Sequence, residues 1–177
     1  MQLRRAMAGD APTLAQVHVA AWHAAYQGLV PDTYLQNFTL QKREAAFQAA
    51  IAAGTEETYL AIENGRAVGI LTIGASRDAD LDDHTCGEIW GIYVLPTAWR
   101  HGIGKALVQE AGRILRGRGY HRIVLWVLAG NVAARTFYAA MGFCPDGATK
   151  LVTLGAPLQA VRYVKADSPH CRLGSEV

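Results

Sequence analysis

Cysteine is scarce in this chain of 177 residues: Cys86, Cys144 and Cys171 are odd in number, widely spaced and form no C-x-x-C pair. That excludes a disulfide framework and a cysteine zinc site, and it argues for reduced thiols in a cytoplasmic setting. Charge is also sparse, at 18% of residues against a usual share of about 25%, which excludes a disordered or highly charged nucleic-acid scaffold. Lys+Arg 17 against Asp+Glu 15 leaves a formal charge of +2, too near neutral for a polyanionic partner. The six histidines form no H-E-x-x-H pattern, so no metal is expected. Asp78, Asp80 and Asp82 begin like a calcium loop, but Asp83 and Ile89 stand where that loop needs its Gly and Glu. Long apolar runs are missing too. Residues 11–31 lack formal charges but contain Pro12, Gln16, His18, His23, Gln27 and Pro31, and no apolar stretch follows the early arginines. Neither a membrane span nor a secretory leader is expected.

What remains is a chain with 51% hydrophobic residues, long enough for one domain with its own core. QLRR reads as a first strand. Asp10 can cap a helix from Ala11 to Ala25, and a second helix over Leu40–Ala53 ends at Gly54. Thr58–Ile62 and Ala67–Ile73 flank Asn64–Gly65, a hairpin signal. Residues 77–85 read as an exposed acidic loop, followed by a strand over Cys86–Leu95. Ile103, Ala106, Leu107, Ala111, Ile114 and Leu115 recur at three and four residues, the mark of an amphipathic helix over 102–118. IVLWVL at 123–128 is the continuous apolar run of a strand buried on both faces. A helix over Asn131–Met141, strands near 149–154 and 160–165, and a frayed tail complete a mixed α/β single domain.

The chemistry concentrates in EIWGIYVLPTAWRHGIGKALVQEAGRILRGRG. Gly102 and Gly104 let the backbone approach a ligand, and the helix that follows offers unpaired N–H groups and a positive dipole end. This is an anion site suited to phosphate or pyrophosphate. A Walker A loop fails at Trp99 and Ala106, and a dinucleotide fingerprint fails at Leu107. Residues 97–122 hold six basic side chains against the one acid Glu110. Arg113, Arg116 and Arg118 read as a solvated helix face, whereas Arg100 and Lys105 sit at the corner. The second block, NVAARTFYAAMGF, puts Asn131 at a strand exit and Tyr138 two helical turns later. Taken singly, these are a helix cap and an interior tyrosine.

Together, in this order and spacing, the two blocks resemble the GCN5-related N-acetyltransferase (GNAT) superfamily. The corner reads Trp99-Arg100-His101-Gly102-Ile103-Gly104 and matches its Q/R-x-x-G-x-G/A pattern at Gly102 and Gly104, with Trp99 in place of the usual Gln or Arg as the departure. The second block matches at Asn131, Ala134, Phe137, Tyr138, Gly142 and Phe143. The resemblance implies a single-domain GNAT fold over 1–165, a mixed, mostly antiparallel central sheet flanked by helices, with 166–177 as a flexible tail. It implies transfer of acetyl from acetyl-CoA to an amine, without a metal. Main chain near Ile92 and Val94 would pair with the pantetheine arm. The N–H groups of Arg100, His101, Gly102, Ile103, Gly104 and Lys105 would hold the pyrophosphate, Asn131 with Ala134 would flank the pantetheine, and Tyr138 would protonate the departing thiolate.

A protonated amine also needs a base or a water chain. Glu88 is the candidate, because alternation puts Glu88, Trp90 and Ile92 on one face; the competing reading is a salt-bridged Glu. In this family the first helices shape the acceptor pocket, and His18, Trp22 and Tyr26 form a stripe at a spacing of four on the first helix. Trp22, Tyr26 and Trp90 are therefore the expected acceptor wall, with helix-on-sheet packing as the alternative for Trp22 or Tyr26. The acidic loop 78–83 is either solvated or attracts a cationic acceptor. The expected partner is a small-molecule or peptide amine, with no nucleic acid or membrane, and the family offers homodimers through its late strands. The competing function is an acyl-CoA-binding regulatory module without turnover, which has no need of Tyr138. A nucleotide-phosphate binder is the third.

Overall fold

The computed structural model describes residues 1–54 and 56–166. Seven strands, β1 (Gln2–Arg5), β2 (Glu57–Glu63), β3 (Arg66–Ala75), β4 (Cys86–Val94), β5 (Arg122–Leu128), β6 (Cys144–Thr153) and β7 (Pro157–Ala166), form one sheet in the order β1-β2-β3-β4-β5-β7-β6. Every neighbouring pair is antiparallel except β4–β5, which is parallel. The helices are α1 (Ala11–Tyr26), α2 (Asp32–Gln36), α3 (Leu40–Ala53), α4 (Ile103–Gly117) and α5 (Val132–Ala140).

Two layers of helix cover the sheet. On one face Leu107, Ala111 and Leu115 of α4 pack on Ile89, Ile123, Leu125 and Val127, joined by Phe143 and Tyr163. On the other, Leu14 and Val17 of α1 and Phe47 of α3 pack on Leu60 and Ile70. A third cluster joins Trp22, Val30 and Leu35 to Leu128 and Ala160. β5 thus feeds both layers, Leu125 on one side and Leu128 on the other, as its unbroken apolar run requires. The β2–β3 turn has positive φ at both Asn64 and Gly65 (50° and 75°), the geometry that selects those residues in a two-residue hairpin.

Several expectations are corrected. Asp10 precedes α1 but makes no cap bond; its carboxylate accepts two hydrogen bonds from Arg4 at 2.8 Å and one from the Met7 N–H. The short α2 carries too few apolar positions to show a period. β6 starts at Cys144, earlier than expected. The tail expected at 166–177 lies outside the described residues except for Ala166, the last residue of β7. Cys86 is a buried free thiol. Among the described residues no helix is long and apolar enough to cross a membrane.

Candidate active site

The one parallel pairing sets the site. β4 and β5 pair only from Cys86↔Arg122 to Ile89↔Leu125, and beyond that point they part. β4 keeps pairing with β3 up to Gly69↔Val94, and β5 with β7 up to Leu128↔Ala160. A bulge marks the parting: Thr72 faces Gly91 and Ile73 faces Ile89, which leaves Trp90 as the extra residue. The N–H of Leu95 donates to Val68 on β3. By alternation the main-chain groups of Tyr93 also serve β3, while those of Ile92 and Val94 face the gap. Trp99, the residue that departs from the family pattern, returns to this edge and donates its indole N–H to the Val94 carbonyl at 2.7 Å. That carbonyl is taken. The Ile92 groups and the Val94 N–H remain.

At the wide end of the gap lies the corner. Arg100 and Gly102 both adopt left-handed backbone (φ 67° and 82°), turning the chain into the first turn of α4. Among the described residues the N–H groups of Arg100 to Lys105 donate to no chain acceptor; the first intrahelical bond there is Ala106 N–H to the Gly102 carbonyl. Six donors at a helix N-terminus are an anion cradle. Ile103 is buried, so it offers only its N–H. Gly104 is required by α5: a Cβ there would stand 3.3 Å from the Phe137 ring. On the solvated face of α4, Arg113 pairs with Glu110 and Arg118 with Glu57, whereas Arg100 and Lys105 are exposed and form no ion pair with a described residue. A groove of about 540 Å³ beside the corner is lined by Arg66, Thr97 and His101 among others.

α5 brings the second block to the gap. The Asn131 side-chain oxygen accepts from the Ala134 N–H at 3.1 Å and caps the helix, which leaves its amide N–H groups free. Ala134 packs against the large core. Tyr138 stands edge-on to Phe137 and Phe143, with centroids at 5.2 and 6.1 Å. Burial, reinforced by Tyr93, pushes its phenol well above the ordinary range. Tyr26 is pushed up in the same way, by burial and then by Tyr93 and Tyr138. Three phenols from α1, β4 and α5 thus influence one another across the parted strands, all partly exposed.

On the acceptor face Glu88 is 1% exposed. Its carboxylate accepts from the Arg77 backbone N–H at 3.0 Å, from Nε at 3.2 Å and from the remaining guanidinium at 2.5 Å. The guanidinium also lies over the Trp90 ring at 4.3 Å. Trp90 donates to the Ala75 carbonyl and rests on Gly74, where a Cβ would come within 2.7 Å of the ring. Glu88 and Trp90 share a face through Arg77, but Ile92 does not join them: it packs in the core of Ile89, because the bulge at Trp90 resets the alternation. Trp22, expected in the acceptor wall, is 5% exposed and sandwiched between Tyr26 and Phe38, each at 4.3 Å. Both faces are covered, so Trp22 backs Tyr26, the packing reading of that stripe. The acidic loop is largely exposed, as expected, but its first part is tied down: Arg162 bonds Asp78, Asp80 and Asp146, and Trp126 donates to Asp78.

Residues 20–143 match the profile described as the acetyltransferase (GNAT) family. The chain belongs to that family. The acetyltransferase is 27% identical over 139 residues, 78% of its own length and 77% of the other, to the uncharacterized N-acetyltransferase YuaI of Bacillus subtilis. Its fold is similar to that of the PaiA N-acetyltransferase of Thermoplasma acidophilum in complex with coenzyme A (TM-score 0.73, 20% identity, 93% of this chain and 98% of that one). It is also similar to YncA of Salmonella typhimurium with its cofactor acetyl-CoA (TM-score 0.69, 20% identity, 99% of each chain). The acetyltransferase is of the N-acetylating GNAT type, and acetyl-CoA is its co-substrate.

The residues present fit that co-substrate: an unused strand edge, a cradle of free N–H groups and two unpaired cations stand along one path. No motif or period pointed to Arg77, Tyr93 or the Trp99–Val94 bond. Arg77 lies in a stretch read as loop, and the bulge that aims Tyr93 at α1 leaves no trace in residue types. Only the Trp99 departure was visible, without its purpose.

Proposed function

We propose that the acetyltransferase acetylates a primary amine of a small molecule or peptide, with Tyr138 as the general acid. The observation that carries this reading is the neutral, partly buried Tyr138 phenol at the opening between β4 and β5. Acetyl-CoA supplies the thioester. The Ile92 main chain and the Val94 N–H hold its pantetheine arm, with Asn131 and Ala134 opposite. The N–H groups from Arg100 to Lys105 hold the pyrophosphate, and the Arg100, His101 and Lys105 side chains add charge around it. As the new C–N bond forms and the C–S bond breaks, Tyr138 Oη holds the proton that the sulfur takes up.

The amine must lose its own proton. Glu88 is an unsuitable base, since its carboxylate is engaged by three Arg77 donors; it positions Arg77 and Trp90, and water removes the proton. Tyr26 and Trp90 border the acceptor. The test is Tyr138→Phe assayed by thiol release over a panel of amines, amino acids, polyamines and peptides. A fall in kcat of roughly 10²- to 10⁴-fold is expected, with acetyl-CoA binding retained. Undiminished kcat overturns the acid assignment, and no thiol release with any amine from the native chain overturns the transferase reading itself.

A further inference from the structure

We propose that the acceptor amine carries a carboxylate, and that Arg43 with His18 beside it forms the subsite that holds it. The inference rests on the acceptor reading above and narrows its substrate class. Arg43, on α3, is the anomaly among the partly buried arginines. Of the others, Arg4 and Arg162 each meet a carboxylate, and Arg135 bonds the Tyr163 hydroxyl and the Ala129 carbonyl. The Arg43 side chain forms no hydrogen bond or ion pair with any described residue, and its Nε is buried without a partner. Its guanidinium lies 5.3 Å from the centroid of Phe38 and 5.2 Å from that of Phe47. Aromatic faces tolerate the cation but offer no acceptor for its N–H groups.

His18 repeats the anomaly. It is 6% exposed, and neither ring nitrogen has a partner. Its ring centroid lies 5.2 Å from Phe38, 5.5 Å from Phe47 and 4.1 Å from Tyr93. Buried polar groups are almost always satisfied in native proteins, so two adjacent exceptions call for a ligand. The chemistry of that ligand follows from the donors. One guanidinium fork matches a planar carboxylate bidentately. A neutral imidazole, as burial and the nearby Arg43 charge keep it, adds one N–H without adding charge. One cation balances a monoanion; a phosphate dianion would be left half neutralised.

The subsite is also in the right place. Tyr93 packs on His18, and the preceding residue on β4 is Ile92, whose main chain faces the gap. Tyr93 is electrostatically coupled to Tyr138. An acceptor anchored at Arg43 would lie along the Tyr93 ring with its amine toward the reacting end.

The experiment compares matched acceptors: amino acids against their carboxamides, with aminoalkyl phosphonates as a third arm. The native enzyme is expected to favour acid over amide in kcat/KM by roughly 10- to 100-fold, the range of a charged hydrogen-bonded pair. That ratio should collapse toward one in Arg43→Gln and fall part-way in Arg43→Lys, which keeps the charge and loses the fork. A general packing defect would lower both acceptors and leave the ratio unmoved. If Arg43→Gln does not fold, Arg43→Lys carries the comparison. A native ratio near one, a ratio unchanged in the variants, or a preference for phosphonate overturns the proposal. If no amine releases thiol, the transferase reading fails separately, and calorimetric titration with an N-acetylated amino acid decides the subsite: binding weakened in Arg43→Lys supports it, and no binding to the native chain, or binding unchanged in the variant, overturns it.

Discussion

The indole N–H of Trp99 holds the Val94 carbonyl at 2.7 Å, occupying one acceptor on the free edge of β4 and leaving that of Ile92. Trp99→Phe keeps the ring and loses that hydrogen bond, worth about 0.5–1.5 kcal/mol net. The corner after β4 should then be less well fixed, and the affinity for CoA should weaken by roughly 2- to 10-fold. Calorimetric titration with CoA measures it. Equal affinity in the two proteins would mean that the bond is incidental to the cofactor edge.

His18 makes the folded chain sensitive to mild acid. Burial, and secondarily the Arg43 charge, lower its pKa from 6.5 to about 3, with Arg43 and Tyr93 the ionisable groups around it. As pH falls through about 6.5, the unfolded chain takes up a proton that the folded chain refuses. Stability present above that pH is therefore lost down to about 3, at up to about 1.4 kcal/mol per pH unit. Asp10, held down chiefly by its hydrogen bond from Arg4, and Glu57, held down chiefly by Arg118, lose stability only at lower pH, once the carboxylate range is reached. Melting temperature should thus begin to drop between pH 6.5 and 5. In His18→Leu that segment should be flat, with the drop below pH 4.5 retained; a native slope in the variant refutes the assignment.

Arg162 is 6% exposed and bonded to Asp78, Asp80 and Asp146. Arg162→Met strands the largely covered carboxylates of Asp78 and Asp146, and removing one partner of such a buried set costs about 3–5 kcal/mol. The melting temperature should fall on the order of 10 °C. Adding Asp78→Asn and Asp146→Asn should recover much of it, since neutral amides tolerate the loss of the cation. A fall of only a degree or two would reduce the network to a surface ion pair.

The sheet, the hairpin and α4 were legible because each is written in a local period: Asn64–Gly65, the stripe from Ile103 to Leu115, the unbroken Ile123–Leu128. The donor half of the site was legible for a related reason, since Gly102, Gly104, Asn131 and Tyr138 stand at fixed spacings on consecutive elements. The acceptor half was not. Glu88 reads equally as a base or as a salt-bridged Glu until Arg77 is folded over it, and Trp22 as a wall or as packing until Phe38 covers its second face. Asp78 and Asp80 look solvated because their counter-ion lies more than eighty residues away. Period and spacing report what a segment does for its neighbours in the chain, whereas these partners meet only through the tertiary fold.

The Asp78–Arg162 cluster has a mechanical side as well. β4 and β5 touch over four residue pairs only, so the sheet is two leaves joined by a short seam. Where the seam ends, the segment after β3 is fastened to Trp126 of β5, Lys150 of β6 and Arg162 of β7. This rivet fixes the leaves at the closed end and leaves the far end unsewn. Parting of the two leaves would therefore widen the passage at Ile92 and Val94 before it strained the cluster.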